Sequence, residues 1–111
     1  MNGASIPREE IINKLAEVRR KLAIKILCDV IKRCGRAARI IHVQLMYNTH
    51  ADRILQEHRI DIRDLFSEVI DMFPRDQKRG VLLPHPDEPK ETVDELIKEI
   101  KELNTRISMM M

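Results

Sequence analysis

Histidine and cysteine are the side chains in this sequence best suited to bind a metal or to move protons. His42, His50 and His58 follow one another at intervals of eight residues, and each interval turns the side chain by about 80° around a continuous helix. Cys28 and Cys34 lie about 9 Å apart on one predicted helix, beyond the reach of a disulfide. The spacing therefore predicts no metal site, no cofactor and two reduced cysteines.

One pair of residues has the spacing of a ribonuclease motif. Residues Arg53 to His58 read Arg-Ile-Leu-Gln-Glu-His, which resembles the Arg-x4-His motif of the HEPN family of helical, often dimeric ribonucleases. The resemblance covers these six residues. It implies that Arg53 stabilises the charge on a phosphate and that His58 acts as a general acid or base.

Lysine and arginine are concentrated in the first part of the chain. Residues 1–40 contain ten of them against four Asp and Glu, whereas residues 81–111 contain four against seven. Such asymmetry is typical of a surface that binds a polyanion. The residues predicted to bind nucleic acid are Arg19, Arg20, Lys21, Lys25, Lys32, Arg33, Arg36 and Arg39. The alternative interpretation is that the acidic C-terminal helix lies against the basic helix. Aromatic residues make up only 3% of the chain, which disfavours sequence-specific binding of single-stranded RNA.

A long helix must position these residues. From Pro7 to Cys34 apolar residues recur at helical spacing, and Gly35 suits the end of a helix, while Ser5 can cap its start. In the second half of this helix the apolar arc widens to about 200°, although one docking face needs about 100°. We therefore expect more than one neighbour to cover it.

The length of this helix suggests a second chain. Residues 7–34 span about 42 Å as a helix, whereas a compact domain of this size has a radius of gyration of about 13 Å. We expect either a kink or a second copy lying along the helix. The residues predicted to contact the partner are Ile24, Leu27, Ile31, Leu96, Ile97, Ile100 and Leu103.

Residues 36–73 are predicted to form shorter central helices. Within them, residues 40–47 are apolar on nearly every side as a helix, which is typical of a buried central helix, but they also alternate as a strand would. We favour the helix. If residues 40–47 are instead a strand, the order strand, helix, helix over residues 39–73 resembles a ribbon-helix-helix DNA-binding unit. That resemblance implies that His42 and Gln44 read bases.

After residue 47 the chain is predicted to form two short helices, a proline-rich spacer and a C-terminal helix. Separate helices are predicted from His50 to His58 and from Ile62 to Phe73, and Pro74 ends the second one. Residues 74–89 contain four of the five prolines, which predicts a semi-rigid spacer that carries the last helix away from its predecessor. Residues 90–107 have the narrow apolar seam of an amphipathic helix.

These features predict an all-α fold: a single domain, residues 1–111, in which one long N-terminal helix, shorter central helices and an amphipathic C-terminal helix form a bundle. We expect an intertwined homodimer or higher oligomer that acts as a non-enzymatic assembly or adaptor module. The alternatives are a DNA- or RNA-binding regulator that uses the basic N-terminal half, and the ribonuclease.

No segment predicts a membrane span or a signal peptide, so a cytoplasmic location is expected. The heavy use of Ile, Arg and Glu is compatible with thermostability.

Overall fold

Four α-helices form the frame of the protein, in a computed structural model that describes residues 7–110. The helices are α1 (Arg8–Cys34), α2 (Ile40–His58), α3 (Phe66–Ile70) and α4 (Val93–Met109). Single 3₁₀ turns, Gly35–Ala37 and Arg63–Leu65, precede α2 and α3, and two short antiparallel strands, β1 (Arg75–Asp76) and β2 (Val81–Leu82), form a hairpin. The prediction of an all-α helical bundle is confirmed. The predicted Ser5 cap lies outside the described residues.

The second half of α1 is buried by other parts of the same chain. α1 is continuous over 27 residues, and α2, α3 and α4 all pack against it. The molecule is elongated as a result, with extents of 58 × 27 × 20 Å and a radius of gyration of 15.9 Å, against about 13 Å for a compact domain of this length. One chain can therefore cover a long helix without a kink, and the argument from length for a second chain no longer holds.

The residues predicted to contact a partner chain belong to this intrachain core. Ile24 is half-buried and packs against the core. The buried members of the set are Leu27, Ile31, Leu96, Ile97, Ile100 and Leu103. They are covered because α4 docks on α1 of its own chain. The predicted intertwining through α4 therefore has no basis in this packing.

Residues 40–47 form no strand and belong to the single long helix α2. The prediction of a separate helix from His50 is wrong, since α2 runs from Ile40 to His58 without interruption. The hydroxyl of Thr49 donates to the carbonyl of Leu45 within the helix, at 3.0 Å. α2 ends where Arg59 takes a left-handed conformation (φ 58°) and donates its N–H to the carbonyl of Leu55. The ribbon-helix-helix alternative, with His42 and Gln44 as base readers, loses the strand it requires.

The proline-rich residues 74–89 are attached to α1 and do not carry α4 away from the bundle. The β1–β2 hairpin turns at Gly80 (φ 66°), and the N–H of Leu82 donates to the carbonyl of Ala38 at 2.8 Å. Farther along, Glu88 pairs with Lys25 of α1 at 2.7 Å and also with Lys32. The prediction that this segment carries α4 away from the preceding helix was wrong. Proline stiffens a segment, but it does not determine which surface the segment packs against.

The start of α4 is fixed by a capping box. The side chain of Thr92 accepts a hydrogen bond from the N–H of Glu95, and the carboxylate of Glu95 accepts one from the N–H of Thr92. This pairing satisfies two N–H groups that a helix start leaves unbonded. α4 therefore begins at Val93, three residues later than predicted.

Tyr47 joins α2 to the segment that leads into α3. Its side chain is fully buried and donates a 2.6 Å hydrogen bond to the carbonyl of Ile62, while its ring centroid lies 5.3 Å from that of Phe66. Burial raises the pKa of the Tyr47 phenol, so the hydroxyl remains a donor. The helix predicted from Ile62 to Phe73 is broken here into a 3₁₀ turn and the short α3.

Replacing Tyr47 by Phe should lower the free energy of unfolding by about 1 to 2 kcal/mol, because the buried carbonyl of Ile62 would lose its donor. The measurement is urea unfolding at pH 7. As a control, Thr105→Ala removes an exposed hydroxyl from α4, and its effect should stay within about 0.5 kcal/mol. Equal losses in the two variants would contradict a structural role for the Tyr47 hydroxyl.

The attachment of residues 74–89 to α1 should depend on pH. Hydrogen bonds from Lys25 and Lys32 lower the pKa of Glu88 from 4.5 to about 2. Because the folded-state pKa is depressed, the ion pairs stabilise the protein above pH 4.5, and this contribution disappears as the pH falls toward 2.

Glu88→Gln should therefore lower the free energy of unfolding by about 1 to 2 kcal/mol at pH 7, a value that allows for partial screening by water. The difference from wild type should shrink as the pH falls from 4.5 toward 2 in urea titrations. Glu102→Gln is the control, since Glu102 is exposed on α4 and has no ion pair among residues 7–110. A wild-type advantage over Glu88→Gln that persisted unchanged at the lowest pH would refute this role for the Glu88 ion pairs.

Candidate functional site

Intrachain ion pairs involve five of the eight basic residues predicted to bind nucleic acid. The pairs on one side of α1 are Arg19 with Asp64 at 3.7 Å and Arg20 with Glu68 at 2.7 Å. Those on the other side are Lys21 with Glu91 at 3.2 Å, and Lys25 and Lys32 with Glu88. The acidic C-terminal helix α4 does lie against the basic helix α1. The carboxylates after position 80 that form ion pairs with α1, Glu88 and Glu91, precede α4.

The other three basic residues lie where α1 gives way to α2. Arg33 is in the last turn of α1, Arg36 is in the 3₁₀ turn, and Arg39 immediately precedes α2. All three are exposed, and among residues 7–110 none has a carboxylate within 4.0 Å. Of the eight residues predicted to bind nucleic acid, those without an ion pair in the described part of the chain therefore lie near this connection.

Helix α2 has an apolar face that the rest of the chain leaves uncovered. Ile41 is 68% exposed and Leu45 is 62% exposed, and the two side chains lie one helical turn apart. Ile40, at 42%, adjoins them. We call these three residues the α2 outer face. The opposite side of the helix faces the core through Val43 and Tyr47, which are fully buried.

Charges of opposite sign flank the α2 outer face. Arg36 and Arg39 lie before its N-terminal end. Asp52 follows Leu45 by seven residues, which places it on the same side of the helix two turns later. Its carboxylate is 54% exposed and lies 3.8 Å from Arg63, a distant and solvated pairing. The face is therefore apolar in the middle, basic at one end and acidic at the other.

Sequence reasoning missed this face because it took residues 40–47 as buried on all sides. The signal was nevertheless present, since a helix that is apolar all round needs neighbours all round. The chain supplies α1 and the 3₁₀ turn before α3 as close neighbours of α2. These neighbours leave Ile41 and Leu45 exposed to solvent.

A groove of about 250 Å³ lies between α1, α2 and α4. The aliphatic side chains that line it are Ile26, Ile54, Val93 and Ile97. The polar and charged side chains that line it are Asp29, Arg33, His50, Arg53, Glu57, His58 and Asp94. The structure thus brings Arg53 and His58 of the Arg-x4-His motif to one groove, together with His50 and Arg33, which sequence reasoning had not associated with them.

His58 is already engaged in this groove. Its Nδ1 lies 2.9 Å from the Nζ of Lys101 on α4. Because an ammonium group can only donate, Nδ1 accepts this hydrogen bond and the ring proton resides on Nε2. Nε2 lies 3.8 Å from the carboxylate of Glu57. The histidine of the motif is therefore hydrogen-bonded by its own chain at Nδ1.

His50 lies between α1 and α2, half-buried at the groove. Burial lowers its pKa most strongly, followed by the positive charges of Arg53 and Arg33, while Asp29 opposes the shift. Two guanidinium groups on different helices are thus close enough to act on one imidazole. Arg33, His50 and Arg53 share the groove with three carboxylates, those of Asp29, Glu57 and Asp94.

Among residues 7–110 no three His, Cys, Asp or Glu side chains are gathered as a metal site requires. Within the same part of the chain no helix has the combination of length and apolarity needed to cross a membrane. Comparisons with protein-family models, with curated proteins and with solved structures give no match.

Proposed function

We propose that this protein is a non-enzymatic assembly module that pairs with a second copy of itself through the α2 outer face. The observation that carries this proposal is the exposure of Ile41 and Leu45 on consecutive turns of one rigid helix. Burying an aliphatic side chain of this size gains about 1.5 to 3 kcal/mol. A surface that gathers such side chains is typical of a contact with another protein.

The charges around the α2 outer face favour a second copy as the partner. In a two-fold dimer, an axis that passes beside Leu45 and perpendicular to α2 makes the two α2 helices antiparallel. Residues six or seven positions before Leu45 then face those six or seven positions after it in the other copy. Arg39 is thereby placed opposite Asp52. The dipoles of the two helices are antiparallel, which is the favourable arrangement.

The expected contact is modest in size. α2 has 19 residues and so spans about 28 Å, and one pair of such helices buries less than the roughly 1,600 Å² of a standard interface. We therefore expect a reversible dimer that forms at micromolar concentrations and not a permanent one.

The nucleic-acid alternative has less support, because affinity for a polyanion comes from cations that can replace its counterions. Of the eight predicted residues, only Arg33, Arg36 and Arg39 lack an intrachain ion pair within the described part of the chain. The ribonuclease alternative has less support because Lys101 occupies the Nδ1 of His58.

Light scattering over a concentration series tests the proposal. Wild type should shift from monomer to dimer, and Leu45→Asp should weaken the dimer at least about 30-fold, since it places a charge at the apolar centre in both copies. Ile41→Asp should act in the same direction.

Ile12→Asp is the matched control, because Ile12 is a 41% exposed aliphatic residue on α1. It should leave the dimer unchanged, and all three variants should keep the wild-type circular dichroism spectrum. A wild-type protein that stays monomeric at every concentration, or an equal effect of Ile12→Asp, would refute the proposed interface.

A further inference from the structure

The junction between α1 and α2 brings together two sulfur atoms that the proposed dimer does not use. Cys34 is the last residue of α1 and Met46 lies in the second turn of α2, and their Sγ and Sδ atoms are 3.4 Å apart. We propose that these two sulfur atoms, together with the imidazole of His42, form a binding site for the soft monovalent cation Cu(I). Every ligand of the site comes from one chain.

Core packing fixes the position of the two sulfur atoms. Residues 35–39 alone connect α1 to α2, so the end of one helix lies beside the start of the other. Cys34 and Met46 are both half-buried and pack against the hydrophobic core. The other cysteine, Cys28, is fully buried. Cys34 is therefore the cysteine that an ion from solvent reaches without opening the core.

The distance between the two sulfur atoms suits two ligands of one ion. Two sulfur atoms that lie 3.4 Å apart, each about 2.3 Å from a metal, form an angle of about 95° at that metal. Such a bent pair leaves the far side of the ion open to a third ligand. His42 precedes Met46 by four residues and so lies on the same side of α2, one turn nearer its start. Because His42 is exposed, its ring can turn toward the sulfur atoms without disturbing the core.

The types of ligand indicate the kind of ion. Thiolate and thioether sulfur select Cu(I), whereas Mg²⁺ and Ca²⁺ take oxygen ligands. A zinc site is built from Cys, His and carboxylate side chains, and no three His, Cys, Asp or Glu side chains are gathered in this way among residues 7–110. The Met46 thioether is thus the ligand that distinguishes the site from a zinc site.

The charges beside Cys34 favour a monovalent ion as well. Arg33 and Arg36 flank Cys34 in the sequence, and neither has a carboxylate within 4.0 Å in the described part of the chain. When Cu(I) binds, the thiol releases its proton to solvent. One positive charge replaces another, so the net charge of the site is unchanged. A divalent ion would add a positive charge next to the two arginines, at a Coulombic cost.

Anaerobic titration of the reduced full-length protein with Cu(I), in competition with the chelator bicinchoninate, tests the proposal. We expect one Cu(I) per chain and binding of Zn²⁺ that is at least about 100-fold weaker. Ag(I), a redox-inert substitute for Cu(I), should shift the NMR signals of the Met46 methyl group and the His42 ring, with saturation at one equivalent.

Met46→Leu and His42→Ala should each weaken Cu(I) binding at least about tenfold, and Cys34→Ser should weaken it more. Met46→Leu conserves side-chain volume, so the fold should be retained, which circular dichroism checks. Met72→Leu is the matched control, because it removes a thioether that is 48% exposed elsewhere on the surface. It should bind Cu(I) as wild type does, and so should Cys28→Ala.

An affinity that Met46→Leu leaves unchanged would overturn the proposal, because a thiol alone would then account for the binding. One copper for every two chains, or Zn²⁺ bound as tightly as Cu(I), would overturn it too. The result is separable from that of the proposed dimer. A monomeric protein that binds one Cu(I) through Cys34 and Met46 would refute the dimer alone, and a dimer without this binding would refute the copper site alone.

Discussion

The apolar surface of α1 between Leu22 and Ile31 is the constraint on which the rest of the structure depends. Most side chains in this stretch are shielded from water, including Leu22, Leu27 and Val30, which are fully buried. A single neighbouring helix can shield only about 100° of such a surface from water. More than one neighbour must therefore cover this surface, and α2, α3 and α4 all pack against α1. A groove remains between α1, α2 and α4.

The charged residues follow from the same convergence. Elements that pack around the basic helix bring their own acidic residues to its edges, as Glu68 does from α3 and Glu88 does from the segment before α4. A basic stretch in a sequence therefore does not establish a basic surface. Of the eight residues predicted to bind nucleic acid, the three without an ion pair among residues 7–110 are Arg33, Arg36 and Arg39, which lie where α1 ends and α2 begins.

Much of the fold could be predicted from the sequence, because α1 and α4 have strong apolar periodicity and clear end signals. Residues 40–47 could be assigned only through their neighbours, since their pattern suits a helix or a strand. A helical wheel showed that Leu27 and Ile100 would be buried, but it could not show which chain buries them. The Arg-x4-His spacing identified Arg53 and His58, whereas the association of Arg33 with His50 depends on a contact between helices that spacing does not encode.

The elongated shape that lets one chain cover α1 also governs how the protein moves through water. A particle 58 Å long and 20 to 27 Å across meets more friction than a sphere of the same 13.0 kDa. Its translational diffusion is slowed, and its tumbling about the short axes is slowed more. A monomer would consequently elute from a sizing column ahead of a compact protein of equal mass, and its apparent size there would overstate the number of chains.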